Sequence, residues 1–406
     1  MNKKETVLII SPHSDVKLKE EPRFGFERRI SYLSRIIDEK YDISILEAND
    51  FKRKEEKNNL KKSYFSSFPL FKIKNMRFGS FFLDLNPLFM LKLLKVCKEK
   101  SPRVVIVSFP WGILITSFLI KKILRFNTKI IYNAHNVESE YSKIILNDRE
   151  IPRILKIFYK IYTYKIEKMS CLKSDYIFSV SDENKDIFID KYGCGGEKII
   201  CIPVGSELPL DKQNIEKNNN FGKNNNEIFA FFHGTYKSTH NREAFDLIYN
   251  FISKKLKHLM NLKFVTSGKG VPEFNKDNIL SLGFVKNLSE LLAQCDIAIV
   301  PLEHGEGTKL KIYDYLSAGL PIVTTKKGAE GIKFVNKKNA IITDHVDEQF
   351  LDAIENLVKN PDLRFEIGKN GRELLIEKYH PDSIKENLYR LLDKIMFEKK
   401  IKYGDK

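Results

Sequence analysis

Residues 297–325 read IAIVP, then LEHGEGTKLKIYDYLSAG, then LPIVTT. An apolar run closed by Pro301, a loop carrying Gly305 and Gly307, a periodic segment ended by Gly319 and a second β-branched run spell strand, loop, helix, strand. Thr308 is placed to cap the helix and Gly319 to take the left-handed position just past its end, while Leu310, Tyr313, Leu316 and Ser317 fall on one face. The helix start then lies beyond a strand's carboxyl end, where doubly wound sheets hold ligands. N–H groups there, over residues 307–309, suit a phosphate or diphosphate, with Lys309 and Lys311 one turn away. Glu306 and Asp314, with seven residues between them, add two carboxylates able to accept hydrogen bonds from sugar or ribose hydroxyls.

Glu306-x7-Asp314, followed by Leu316-Ser317-Ala318-Gly319-Leu320-Pro321-Ile322-Val323 and by Lys327-Gly328-Ala329-Glu330-Gly331, resembles the donor-site signature of the retaining glycosyltransferases of the large family four, or group 1. The resemblance implies the GT-B fold: α/β, two doubly wound Rossmann-like domains facing across a cleft. It also implies that Glu306 contacts the transferred sugar and that the carboxylate at 314 grips the nucleotide ribose. Asp314 stands where that family usually has Glu, one methylene longer.

A chain of 406 residues exceeds an ordinary single domain and is long enough for two cores. Of the net charge of +16, most sits in the first half, where residues 1–200 hold 38 Lys and Arg against 25 Asp and Glu. That asymmetry points to an anionic partner or to a lysine-rich solvated surface. Nucleic acid is set aside, since no zinc spacing, aromatic RNA-binding signature or basic heptad array is present, and an anionic membrane surface fits better. Five cysteines, at 97, 171, 194, 201 and 295, form no CxxC and no metal spacing with histidine, and read as reduced residues of a cytoplasmic protein. The first apolar run is too short for a signal peptide. Residues 104–120 are uncharged, but Pro110-Trp111-Gly112 splits them into a buried strand and the first turns of a buried helix.

In chain order, residues 6–11, 25–39 and 41–48 read as strand, helix and strand, separated by the loop HSDVKLKEEPRFG. By resemblance, Gly25 at the helix start lets the backbone approach the donor phosphate. The tract 51–100 interleaves Lys and Arg with many Phe and shows no clean period before a helix at 91–97; it reads as a segment resting on lipid headgroups or as an excursion packed on its own domain. Strands are expected over 103–110 and 129–135, the second running into YNAHNVESEY. His135 there resembles the family's histidine beside the donor sugar and phosphate, a positioning or polarising group, while Asn136 or Glu138 would cap the next helix. Residues 151–172 form a long helix with apolar spacing and Lys on the remaining face, most simply a core-packing helix; membrane contact is compatible with it but not required. Strands follow at 175–181 and 199–205.

The domain reading is 1–205 for an acceptor-side domain, 206–226 for an asparagine-rich linker, 227–380 for the nucleotide-sugar domain and 381–406 for a helix returning to the first. A strand ending at Gly234 leads to a helix from about residue 241, and resemblance assigns Gly234 and Lys237 to the donor diphosphate. The function implied is transfer of a sugar, with retention, from a nucleotide sugar to a sugar or lipid-linked acceptor, in cell-surface polysaccharide or glycolipid synthesis. No metal and no cofactor beyond the donor is expected, and the place of action is the cytoplasm, peripherally at the inner face of the membrane. The alternatives are a catalytically silent sugar-nucleotide-binding scaffold subunit and a nucleotide-sugar epimerase. A dinucleotide dehydrogenase is disfavoured because no G-x-G-x-x-G follows the first strand.

Overall fold

The computed structural model describes residues 5–12, 25–49, 61–66, 72–73, 76–77, 82–146, 152–203, 221–305 and 307–397. The loop expected before Gly25, much of the tract 51–81, Glu306 and the linker up to residue 220 lie outside them. Two compact units form, Met1–Val204 with Ile384–Lys406, and Gly205–Ser383.

In the first unit, β1 (Thr6–Ser11), β2 (Asp42–Asn49), β3 (Lys61–Ser66), β4 (Val104–Ser108), β5 (Lys129–Asn133), β6 (Tyr176–Ser179) and β7 (Ile199–Cys201) make one parallel sheet in the order β3-β2-β1-β4-β5-β6-β7. Val7 on β1 lies opposite both Ile43 and Val104, so strand order reverses beside β1. A parallel sheet buries both faces, which is why its strands read as unbroken apolar runs. Val7 and Ile9 face a core with Ile30, Leu33 and Ile37 of α1 (Gly25–Lys40) and with Ile384, Leu388 and Leu392 of the C-terminal helix Pro381–Phe397. Leu8 and Ile10 face the opposite core, with Phe89, Leu93 and Val96 of α2 (Pro87–Lys100). The latter side also carries α3 (Ile113–Ser117), which continues as wider π-helical turns over Phe118–Ile123, then α4 (Glu138–Leu146), α5 (Arg153–Lys173) and α6 (Asp182–Tyr192).

Three sequence expectations change here. The strand expected to reach Pro110 stops at Ser108 because Phe109 turns to a left-handed φ of 68°. α2 starts four residues before Leu91, since Asn86 accepts from the N–H groups of Leu88 (3.0 Å) and Phe89 (3.1 Å) with Pro87 in the first turn. Part of the tract read as irregular is the edge strand β3, whose Phe65 is buried with its ring centroid 5.0 Å from that of Phe89. No helix among the described residues is long and apolar enough to cross a membrane.

In the second unit, β8 (Ile228–His233), β9 (Leu262–Ser267), β10 (Glu273–Lys276), β11 (Ile279–Leu282), β12 (Ile297–Val300), β13 (Ile322–Thr325) and β14 (Ile341–Thr343) stand in the order β10-β11-β9-β8-β12-β13-β14. All pairs are parallel except β10 with β11, an antiparallel edge where a wholly parallel sheet is expected from sequence. Strand order reverses between β8 and β12. The helix of the opening motif, α8 (Lys311–Ser317), comes after α7 (Thr239–Leu247) in labelling order and is shorter than its periodicity implies. Its end is closed as expected: Gly319 has φ 62°, its N–H bonds to Leu316 O (3.0 Å) and the Leu320 N–H bonds to Tyr315 O (3.0 Å).

Candidate active site

The reversal between β8 and β12 places residues 234–238 beside residues 301–305 and 307–310 at the carboxyl ends of the second sheet, the position where such sheets take ligands. The backbone is packed tightly there: a Cβ on Gly268 would fall 1.9 Å from the Gly234 carbonyl oxygen, and one on Gly234 would fall 2.8 Å from the Asn241 amide carbon. Asn241, at the start of α7, donates to Thr235 O (3.2 Å) and accepts from Lys311 Nζ at 2.8 Å. The same ammonium lies 3.9 Å from the centroid of the Phe232 ring. Burial, and then the neighbouring Lys309, push the Lys311 ammonium well below the usual lysine range, with Asp314 opposing them.

Lys309 is buried, donates to Gly307 O (2.6 Å) and Gly305 O (3.3 Å), and stands 3.8 Å from Glu330. His240 lies under Gly305 and is pushed down to about 4, by burial first and then by Lys311 and Lys309. Asp314 Oδ2 is 3.5 Å from His233 Nε2. Among the described residues, buried Lys309, half-buried Lys311 and a histidine held neutral stand here with the carboxylates of Asp314 and Glu330. The two lysines suit an anion.

Thr308 does not cap α8. The helix begins at Lys311, and the N–H groups of Ile312 and Tyr313 are already taken by Lys309 O (2.9 Å) and Leu310 O (3.1 Å) in a tight first turn. The Thr308 hydroxyl is instead buried with no hydrogen-bond partner among the described residues, beneath Gly331, where a Cβ would come within 2.1 Å of it. The start of α8 therefore offers few free N–H groups, and the lysine side chains are the main positive groups near it.

In the first unit, His135 follows β5 and is 8 % exposed. Phe109 stacks on its ring at 4.3 Å with the planes 4° apart, and does so from the left-handed conformation that a bulky residue holds only at a cost of about 1–3 kcal/mol. Asn133 Nδ2 lies 3.5 Å from His135 Nε2 and donates to Ser108 Oγ (3.1 Å), while Asn133 Oδ1 accepts from the buried Arg29 Nε (2.9 Å). Arg29 also reaches Ile202 O at 2.5 Å. The helix after His135 is capped from outside: Glu167 on α5 accepts from the N–H of Glu138 (2.7 Å) and Ser139 (2.9 Å), and from the hydroxyls of Tyr132 (3.1 Å) and Tyr192 (2.5 Å). Burial and the adjacent Glu167 raise the Glu138 carboxyl to about 8.

Residues 23–208 match the family described as Glycosyltransferase Family 4, and residues 228–360 match Glycosyl transferases group 1. This chain is a group 1 glycosyltransferase. Among solved structures, the glycosyltransferase is similar to sucrose-phosphate synthase from Thermosynechococcus elongatus at 13 % identity and TM-score 0.69, over 97 % of this chain and 99 % of that one. It is similar to Anabaena HepE in complex with UDP at 13 % identity and TM-score 0.68, over 96 % and 100 %, and to WaaG, a glycosyltransferase involved in lipopolysaccharide biosynthesis, at 14 % and 0.62, over 95 % and 99 %. At such identities the likeness establishes the two-domain GT-B fold. No curated protein sequence matches the chain.

Of the sequence-derived site residues, the glycosyltransferase gathers Gly234, Gly307, Thr308, Lys309, Lys311 and Asp314 at one end of its second sheet. Lys237 lies in the same loop with its side chain exposed. Gly25 is the first residue of α1, and His135 stands at the carboxyl edge of the first sheet. Glu306 falls outside the described residues. Sequence reasoning missed Asn241, His240 and His233 in the second unit and Arg29, Asn133, Phe109 and Glu167 in the first. Glu167 had a signal: it is the sole carboxylate of a lysine-rich helix and falls on the apolar stripe with Tyr159, Thr163, Ile166 and Ser170.

Proposed function

We propose that this glycosyltransferase moves a sugar from a nucleoside-diphosphate sugar to a sugar or lipid-linked acceptor, with retention at the anomeric carbon, in the synthesis of a cell-surface polysaccharide or glycolipid. The observation that carries the donor class is Lys311, a half-buried ammonium whose partners include an amide and an aromatic ring at the strand-order reversal of the second sheet. A diphosphate would pair with this cation and with Lys309. That HepE was solved with UDP, and that WaaG acts in lipopolysaccharide biosynthesis, fit the same reading.

In this reading Lys311, with Lys309 and the N–H groups of residues 307–309, holds the diphosphate beside Gly234 and Lys237. Thr308 lines the loop, Asp314 takes the ribose and Glu306 the sugar hydroxyls. Gly25 admits the backbone of the first unit close to phosphate, and His135 positions or polarises the reacting groups. The bond from the anomeric carbon to the diphosphate oxygen breaks, the acceptor oxygen bonds to the same face, and its proton passes to the departing diphosphate. The lysines stabilise that departing charge in place of a metal ion, so turnover is expected to be unchanged in chelator. The enzyme would work in the cytoplasm. Calorimetric titration with a panel of nucleoside diphosphates, followed by an assay for slow hydrolysis of the matching sugar nucleotide, tests the proposal. Binding of one nucleotide, with hydrolysis suppressed in Glu306→Ala, supports it; no binding across the panel overturns it.

A further inference from the structure

His233 closes β8 where the chain enters the loop 234–238, and its imidazole is held from two sides. Phe231, two residues earlier on the same face of the strand, lies against it with 5.6 Å between centroids and the planes 21° apart. Tyr315 of α8 meets it edge to face at 5.3 Å and 90°. The Tyr315 hydroxyl also accepts from the His233 N–H at 3.0 Å, so strand and helix are joined at this residue by backbone and ring alike. Tyr315 is fully buried and close-packed, which fixes the imidazole it orients.

The outer edge of that imidazole faces a carboxylate. Nε2 stands 3.5 Å from Oδ2 of Asp314, the residue before Tyr315, so one helix supplies both the ring that orients the imidazole and the acid it meets. The separation is close enough for charge and too long for a well-formed hydrogen bond. The two side chains are 17 % and 22 % exposed, which leaves both within reach of a ligand. A neighbouring carboxylate favours the tautomer that carries its proton on Nε2. The pair then sets one donor beside one acceptor, and a hydroxyl answers both, accepting from the imidazole and donating to the carboxylate. An anionic ligand group is repelled by Asp314, and an ammonium has nothing to accept with.

Position selects which hydroxyl. Gly234 is the next residue after His233, and Lys311 lies one turn before Asp314 on α8, so the pair adjoins the groups that meet the diphosphate. In a nucleoside diphosphate the ribose is joined directly to the phosphates and carries two hydroxyls. We propose that His233 is a binding residue for the donor's ribose, sharing one of its two hydroxyls with Asp314. The inference deepens the donor reading and rests on it. It gives the imidazole a part in telling a ribonucleotide from its deoxy forms, which packing alone does not require.

The test is calorimetric titration of the full chain with UDP, or with whichever nucleoside diphosphate binds most tightly, and with the 2′-deoxy and 3′-deoxy forms of the same nucleotide. In the wild type one deoxy form should bind about 10- to 150-fold more weakly than the parent, from loss of a hydroxyl held by an ionised acceptor. His233→Phe keeps a ring against Phe231 and Tyr315 and removes the donor. The parent nucleotide should then weaken about 2- to 12-fold while that deoxy form is unchanged, so the ratio narrows by the same factor. His233→Gln returns an N–H without the ring and should recover the wild-type ratio while melting lower. Two results overturn the proposal and leave the donor reading standing: equal affinity of the wild type for the parent and both deoxy forms, or a ratio that His233→Phe leaves unchanged, as a residue that only packs would give. Absence of binding by any nucleoside diphosphate overturns the donor reading and this inference together.

Discussion

Lys311→Met separates binding from framework, because the two roles respond with opposite signs. In the free protein the side chain is half-buried, bonded to Asn241 Oδ1 at 2.8 Å and set 3.9 Å from the Phe232 ring centroid. Methionine fills a similar volume. It forfeits a cation–π contact worth about 0.5–2 kcal/mol and orphans the Asn241 oxygen at a cost of about 1–3 kcal/mol. Against this stands relief of the penalty for keeping a charge out of water, about several kcal/mol for an ion in a protein interior. Burial is the largest influence on Lys311 and drives it well below the lysine range, so the desolvation relief is expected to match or exceed the losses. The variant should melt at the wild-type temperature or a few degrees above it, given about 2–4 °C per kcal/mol for a unit of this size. Affinity for the nucleoside diphosphate should fall about 10- to 150-fold, from loss of a charge-assisted hydrogen bond of about 1.5–3 kcal/mol.

The pH dependence follows in sign. Lys311 binds its proton more weakly folded than unfolded, so between its lowered value and the ordinary 10.5 the unfolded chain holds more protons and wild-type stability rises with pH. That rise should be missing in Lys311→Met. Thermal melts across alkaline pH and calorimetric titration with UDP make the comparison. A variant that melts well below wild type and still binds UDP with wild-type affinity would show Lys311 to be framework, and the anion-binding reasoning would fail with it.

Three further outcomes are expected. His240, held near 4 by burial and by Lys311 and Lys309, is neutral above that value, so its contribution to stability is complete above 6.5 and is lost as pH falls toward 4; its NMR titration midpoint should move up when a nucleoside diphosphate arrives, and a midpoint that ignores the nucleotide would place the anion elsewhere. Glu167→Ala leaves two N–H groups of α4 and two tyrosine hydroxyls without their acceptor and should cost about 3–5 kcal/mol in denaturant unfolding, with Glu167→Gln milder. Phe109→Gly removes a buried ring, at about 3–5 kcal/mol, while relieving a left-handed backbone worth about 1–3 kcal/mol, so stability should fall by a few kcal/mol and turnover should fall at unchanged donor affinity; full turnover in this variant would mean the stack does not position His135.

Much of the fold was legible because period and punctuation agree with it. The apolar runs at β1, β4 and β12 are unbroken, as strands covered on both faces must be, and Gly319 stands where the last turn of α8 needs a left-handed residue. The errors have local causes. β3 carries lysines at a sheet edge and only part of an alternation, so nothing in KKSYFS separates an edge strand from a surface loop. β10 is short and largely exposed, with Phe274 alone of its side chains half-buried, against the Tyr249 ring at 5.2 Å.

The candidate site was legible where it depends on spacing and illegible where it depends on long-range partners. Lys311 and Asp314 follow from one motif, but the partner that holds Lys311 comes from Asn241, seventy residues earlier, and the cap on α4 comes from a helix that begins after it ends. Sequence periodicity read α5 as core packing, and its inward stripe through Tyr159, Thr163, Ile166 and Cys171 bears that out. A helix with apolar residues on both faces has the same pattern whether its outer side meets protein, lipid or water, because the period records that a face is apolar and not what lies against it. What distinguishes the cases is the company those residues keep. The stripe with Thr163, Glu167 and Ser170 finds partners for its polar groups inside the unit, whereas the stripe with Lys165 and Lys168 keeps its cations exposed beside Ile161 and Leu172.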